Sequence, residues 1–464
     1  MKLTKCILGA AALAIGSGAF AQTVTFHAGF DYTTYGLTQT RQNDDGVKSH
    51  TDPSAAYDPD GNMTVDVAVR AANFEFNLGL YFNADGGDEE YFDYSDGGKG
   101  TPFYQGNMKV GFFNDQMNLY LGKFEDFNGG FVEDGYVLGS QAVTNLADKD
   151  YGQYLTGLQF SPYALSGLKF FAGFPILPIR GNGIQSNDDF EYNQWKVLGK
   201  KVKLAASYQL PNEMTVNAGF RPGTYFDGVD LSGEMSTATD TFTESLFGEG
   251  YVQFVMPNVV EGVDANFLYD IRYRDGSYTK TDGTEKEHKT TAHMVGLSAE
   301  FGKLFSDALT LALEDRFFFA DDDYVVSDEK LIHDVLALSV EYDVSGKPLS
   351  VGLGLAGLFA ADANGTAFAI DSDDDKGAKI TTGRYYCNKD IGMSINDMAT
   401  ANVSNLSGDA TTYLGAYANP YVRFNFENGA VTLGAEICYT RFFNDNVTNT
   451  GLSYRIPVGV KFEF

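Results

Sequence analysis

Period-two alternation, carried to the last residue, constrains this chain more than any other feature. In the closing stretch "YRIPVGVKFEF" every second side chain from Tyr454 is apolar, through Ile456, Val458, Val460, Phe462 and Phe464, while Arg455, Lys461 and Glu463 fall on the other parity. Successive side chains of a strand point to opposite faces, so this reads as a strand with one oily face and one wet face. "TVTFHAGFDY" likewise sets Val24, Phe26, Ala28, Phe30 and Tyr32 together, and "MTVDVAVR" sets Met63, Val65, Val67 and Val69 against Thr64, Asp66 and Arg70. "VDANFLYDIRY" sets Val263, Ala265, Phe267, Tyr269 and Ile271 against Asp264, Asn266, Asp270 and Arg272. A charged residue repeatedly sits between two apolar ones.

The connections alternate long and short. Long Asp/Asn/Gly-rich segments fall near 38–62, 83–102, 125–153, 175–195, 221–246, 274–290, 320–332, 360–411 and 441–451, and between them lie tight links at Asn73, Asn114, Asn212, Ser345 and Glu427. A soluble sandwich has no reason for that rhythm, whereas up-and-down transmembrane barrels have short turns on one side and long loops on the other. Counting segments gives about 18 strands, with 16 the alternative, mostly of about 9–12 residues, near the ~9–11 that a tilted strand needs to cross hydrocarbon. Lipid offers the backbone no hydrogen bonds, so the sheet must close, the last strand pairing with the first near Val24. The fold class expected is therefore all-β, a transmembrane antiparallel up-and-down barrel. Pro457 removes a ladder donor from the closing strand and marks a bulge there.

The opening "MKLTKCILGAAALAIGSGAFAQ" carries Lys2 and Lys5, a short apolar run and Ala19-Phe20-Ala21, the pattern of a cleavable secretory signal over residues 1–21, with the barrel occupying 22–464. Cys6 precedes the apolar run, where a lipid-acceptor cysteine would follow it. The whole chain has 33 basic and 62 acidic side chains; removing Lys2 and Lys5 leaves 31 against 62, a formal charge of −31. Such a charge excludes nucleic acid as a partner. No Pro/Ser-rich linker divides the chain, which reads as one architecture.

These features together resemble a Gram-negative outer-membrane porin: the signal, the strand rhythm over residues 22–464 and the terminal Phe464 on an amphipathic strand. The resemblance implies a bacterial outer-membrane barrel forming a water-filled channel for passive diffusion of ions and small hydrophilic solutes. It implies outer-membrane lipid and lipopolysaccharide as surroundings, the barrel-assembly machinery as the reader of Phe464, and a homotrimer. A substrate-selective channel for sugars or organic acids, with Tyr120 among the lumenal aromatics, and a surface adhesin with a closed lumen are the competing expectations.

In such a barrel the polar parity lines the lumen. That parity holds Asp31, Asp66, Glu75, Asp264, Asp270, Glu300, Glu314, Glu341 and Glu436, and also Arg70, Lys109, Lys169, Lys201, Lys203, Arg221, Arg272, Arg316, Arg423 and Arg455. Acid and base nearly balance there. Lys123 shares its parity with Leu119 and Leu121, and only the family resemblance of "LGKFEDFNGG" assigns it to the lumen. By the same resemblance, the third long loop folds inward as the pore constriction. From Glu125 to Gly152 it has six acids, Glu125, Asp126, Glu133, Asp134, Asp148 and Asp150, against Lys149, which makes the channel cation-preferring.

No catalytic residue is expected: His27, His50, His288, His293 and His333 fall in no protease, nucleophile-elbow or cysteine/histidine signature. Neither a cofactor nor a metal site is assigned. The acidic runs at Asp58, Asp85, Asp321 and Asp371 read as solvated external loops, with divalent-ion binding left open. A bridge between Cys387, in the longest loop, and Cys438 is also left open.

Overall fold

The computed structural model describes residues 23–44, 47–50, 60–83, 103–124, 131–138, 153–175, 202–222, 241–279, 285–302, 306–323, 328–362, 412–443 and 448–463. The signal segment 1–21, Glu125, Asp126, Asp148, Asp150, Cys387 and Phe464 lie outside the described residues, as do the acidic runs at Asp85 and Asp371 and the first two residues of the run at Asp58, whose Asp60 is described.

Twenty strand segments form one sheet. The segment Val47–His50 only extends the ladder of the first strand beyond its crossing, and Gly429–Gly434 and Glu436–Phe443 are two parts of one strand, which leaves eighteen staves. In order these are β1 (Thr23–Asp44), β2 (Asp60–Ala71), β3 (Phe74–Asn83), β4 (Phe103–Phe112), β5 (Met117–Phe124), β6 (Gln153–Phe160), β7 (Leu168–Pro175), β8 (Lys203–Gln209) and β9 (Thr215–Arg221). They continue as β10 (Thr241–Val260), β11 (Val263–Thr279), β12 (Glu285–Gly302), β13 (Leu309–Asp323), β14 (Asp328–Asp343), β15 (Leu349–Asp362), β16 (Thr412–Phe426), β17 (Gly429–Gly434 with Glu436–Phe443) and β18 (Thr448–Glu463). Each pairs antiparallel with its neighbours in sequence, and β18 closes on β1, with Phe30 opposite Phe462 and Asp31 opposite Lys461. The sheet thus closes on itself, as a bilayer demands.

Burial runs opposite to that of a soluble protein. Phe26, Leu204, Phe220, Leu297, Leu336, Phe424 and Ile437 are exposed, while Asn118, Lys203, Arg221, Glu249, Gln253, Asp270, Glu314 and Glu436 are buried. The two sets alternate along each stave, so the apolar parity faces out and the polar parity faces in. An apolar exterior on a closed, even-numbered antiparallel barrel is the build of an outer-membrane barrel. Asp315 and Asp334 depart from the rule: they share the outward parity of Leu313 and Leu336 on neighbouring staves and hydrogen-bond each other.

Pro457 has the effect expected of it. The register of β1 against β18 shifts between Tyr35 and Thr38, opposite Pro457, and β17 is interrupted at Ala435. There the Asn419 Nδ2 donates to the Ala435 carbonyl at 3.2 Å, giving it a side-chain partner at the break.

Strand length and several loop bounds need correction. The ladder runs 20 residues in β10, 17 in β11, 18 in β12 and 16 in β14, well beyond a membrane crossing. Expected loops at 274–290, 320–332 and 441–451 shrink to 280–284, 324–327 and 444–447. The acidic run at Asp321 lies in the β13 ladder, where Asp321 pairs with Lys330 and Asp322 with Glu329. Above the membrane both faces meet water, so alternation vanishes from the sequence while backbone pairing continues.

Candidate functional site

The lumen wall is built by the inward parity of the staves, and segment 131–138 of the third long loop is bound to it. Glu133 N donates to Gln253 Oε1 at 2.8 Å, and Gln253 Nε2 returns a bond to Glu133 O at 2.7 Å. Asn266 Nδ2 donates to Asp134 O at 3.0 Å. Farther along, the amides of Val137 and Leu138 both donate to Glu314 Oε2, at 2.9 and 2.8 Å. Gln253, Asn266 and Glu314 belong to β10, β11 and β13, all on the inward parity, so the loop crosses the inside of the barrel.

Two apolar contacts add to this polar seam. Val132 packs in a buried cluster with Tyr251, Leu268 and Met294, with Phe318 against it, and Phe131 packs with Tyr120 on Phe171 and Ala205. Tyr120 stands edge-on to Phe171, centroids 6.0 Å apart, while its hydroxyl donates to Gln159 Oε1 at 3.1 Å. Tyr120 is among the expected lumenal aromatics, whereas Leu268, Met294 and Phe171 are missed by strict alternation. Their signal is a break in it: Leu268 sits between Asn266 and Asp270, and Phe171 directly follows outward Phe170. An oily side chain on the wet parity marks where something apolar docks inside.

Glycine is required where the loop meets its anchor. A Cβ on Gly135 would run into the Glu314 carboxylate. On β5, Gly122 has φ 120° and lies flush against the Gly106 backbone just before the loop departs.

The wall charges fall into short networks. Glu314 takes Arg316 Nε at 2.5 Å as well as the two loop amides. Arg221 and Glu249 form a buried pair, Nε to Oε2 2.9 Å, with Lys203 and Arg272 in electrostatic contact. Arg423 pairs with Glu341 at 3.1 Å, lies 5.4 Å above the Tyr421 ring, and shares Glu341 with the Tyr421 hydroxyl. Arg70 pairs with Glu75 at 3.0 Å. By register Asp66 faces His27, Lys109 faces Glu75, Asp264 faces Glu300 and Glu436 faces Arg455, while Asp270 is fully buried. Lys169 is exposed within the lumen near Glu133 and Asp134. Lys123 pairs in the ladder with Gly106 and Tyr154, on the parity of Leu119 and Leu121; its side chain lies outside the described residues.

Tyr136, on the inward loop, is held neutral: burial first, then the carboxylates of Asp264, Glu300 and Glu133, push its hydroxyl up to about 12. It therefore keeps its proton and remains a hydrogen-bond donor at ordinary pH. Cys438 is buried with a free thiol. No group of three or more His, Cys, Asp and Glu able to hold a metal occurs among the described residues.

No family model matches the chain, and no curated protein matches it in sequence. Among solved structures it is similar to OprB of Pseudomonas putida, at 12% identity and a TM-score of 0.42, covering 98% of this chain and 97% of that one. It is similar also to the outer-membrane channel DcaP of Acinetobacter baumannii, at 9% identity and a TM-score of 0.40, over 96% and 98% of the two chains. A loop L8 deletion mutant of the outer-membrane protein OmpT of Vibrio cholerae gives 12% identity and a TM-score of 0.40, over 96% and 100%.

Proposed function

We propose that this protein is a passive outer-membrane channel for ions and small hydrophilic solutes, preferring cations. One observation carries the reading: a closed barrel whose charged and amide side chains turn inward, with a loop segment bearing Glu133 and Asp134 laid across that inner surface. A buried polar wall makes sense when water fills the space beside it, and charges at close quarters in a narrow passage set which ions enter.

In this reading Glu125, Asp126, Glu133, Asp134, Asp148 and Asp150 supply negative potential at the constriction, while the wall pairs stiffen the barrel and nearly cancel in charge. Residues 1–21 direct export, Phe464 is read during assembly, lipopolysaccharide and lipid surround the exterior, and three copies associate. Flux of neutral and charged solutes into proteoliposomes tests it: initial rates linear in concentration and faster for cations support a diffusion channel. Saturating flux of one sugar or acid supports a selective channel, and no flux at all supports a closed structural barrel.

A further inference from the structure

The inward segment meets the wall in chain order. Val132 enters the apolar cluster of Tyr251, Leu268 and Met294, and the next residue, Glu133, is taken by Gln253, two positions beyond Tyr251 on β10 and opposite Leu268 on β11. Gln253 grips both backbone groups of that residue: its Oε1 accepts from Glu133 N at 2.8 Å, and its Nε2 donates to Glu133 O at 2.7 Å. A primary amide that closes such a ring has one orientation only, because backbone donors and acceptors cannot exchange. Asn217, opposite Gln253 on β9, donates Nδ2 to the same Oε1 at 3.2 Å and steadies the clamp from behind. One residue on, Asn266 Nδ2 donates to Asp134 O. The backbone of residues 132–134 is thus pinned to the wall, while Glu133 itself is exposed beside the space inside the barrel.

We propose that Gln253 is a positioning residue for ion selectivity, fixing where the Glu133 carboxylate stands along the ion path, a role that rests on the channel reading above. Gln253 is uncharged and 0% exposed, so it touches no permeating ion and acts through the segment it holds. Glu314 ties the same segment farther on, through residues 137 and 138, so losing the Gln253 clamp frees the acidic part while the later part stays attached. Position decides the effect of a charge here. In water at physiological salt, a carboxylate drawn back from about 4 Å to about 8 Å from the ion path loses enough pull on cations and push on anions to lower the K⁺ to Cl⁻ permeability ratio about fourfold.

The test uses the full chain in planar bilayers, with the permeability ratio read from the zero-current potential in a KCl gradient. Gln253→Leu, which removes the clamp without changing any charge, is expected to lower the ratio about fourfold. Glu133→Gln with Asp134→Asn removes the two charges outright, and adding Gln253→Leu to that background should leave the ratio where it stands. A purely structural role would reduce the amount of inserted protein and leave the ratio of the inserted channels unmoved. Asn217→Ala, one bond farther from the loop, should shift the ratio the same way by less, and it carries the test if Gln253→Leu does not insert. An unchanged ratio in the inserting variant, or a shift that persists undiminished in the neutralised background, would overturn the positioning role while leaving the channel standing. A correctly inserted wild-type protein that passes no current overturns the channel reading, and this role with it.

Discussion

Replacing Glu314 with alanine should unlatch the inward loop without unmaking the barrel. The carboxylate receives the amides of Val137 and Leu138 and pairs with Arg316, and the residue is almost fully buried. Arg316 can turn its long side chain toward lumen water, so its loss of a partner is set aside. The two amides have no such freedom, and each hydrogen bond to a charged group contributes roughly 1.5 kcal/mol at the low end of its range. Together they stabilise the docked segment by about 3 kcal/mol, a factor of roughly 150 in its opening equilibrium. Hydrogen exchange by mass spectrometry on the protein in detergent should show protection of a peptide spanning 131–138 falling by about two orders of magnitude, while peptides from β11 to β14 exchange as before. Gly135→Val should act in the same direction, because its side chain displaces the same carboxylate. Unchanged exchange at 131–138 in both variants, with insertion normal, would refute the claim that Glu314 holds the loop.

Three further outcomes are expected. Deleting Phe464 or making it charged should reduce insertion, read as loss of heat-modifiable migration and of surface protein; normal levels of both would count against its role in assembly. Neutralising Glu125, Asp126, Glu133 and Asp134 together should move the zero-current potential in a KCl gradient toward zero, whereas neutralising Asp371, Asp373, Asp374 and Asp375 should barely move it, since exposed loop charge is screened over ~8 Å at physiological salt. Exchanging Asp315 and Asp334 together for leucine should raise the temperature at which the barrel unfolds, because two outward carboxyls are replaced by the side chain that lipid prefers; a lower temperature would mean that this face is covered by protein.

The architecture is legible in the sequence because a membrane barrel writes itself in period two: one face must satisfy lipid and the other water, so "MTVDVAVR" cannot hide its faces. The stave count follows from the same rhythm. Strand ends are not legible, since "RDGSYT" and "EKEHKTT" are polar on both parities and look like loop, yet Arg274 pairs with Thr290 and Tyr278 with Lys286. Inward Leu268, Met294 and Phe171 read as noise in the alternation and prove to be the floor on which the loop packs. The latch is the least legible part. Glu314 can be assigned a face by parity, but the groups it binds are backbone amides of residues 137 and 138, which any sequence would supply.

Current through the purified protein in a planar bilayer tests the central claim most directly. The account predicts stable ohmic steps, present in symmetric KCl without any added solute, and a zero-current potential in a KCl gradient whose sign shows cations permeating better than anions, more so at low salt. Insertion without current would contradict a water-filled lumen, and anion preference would contradict an acidic loop at its narrowest point.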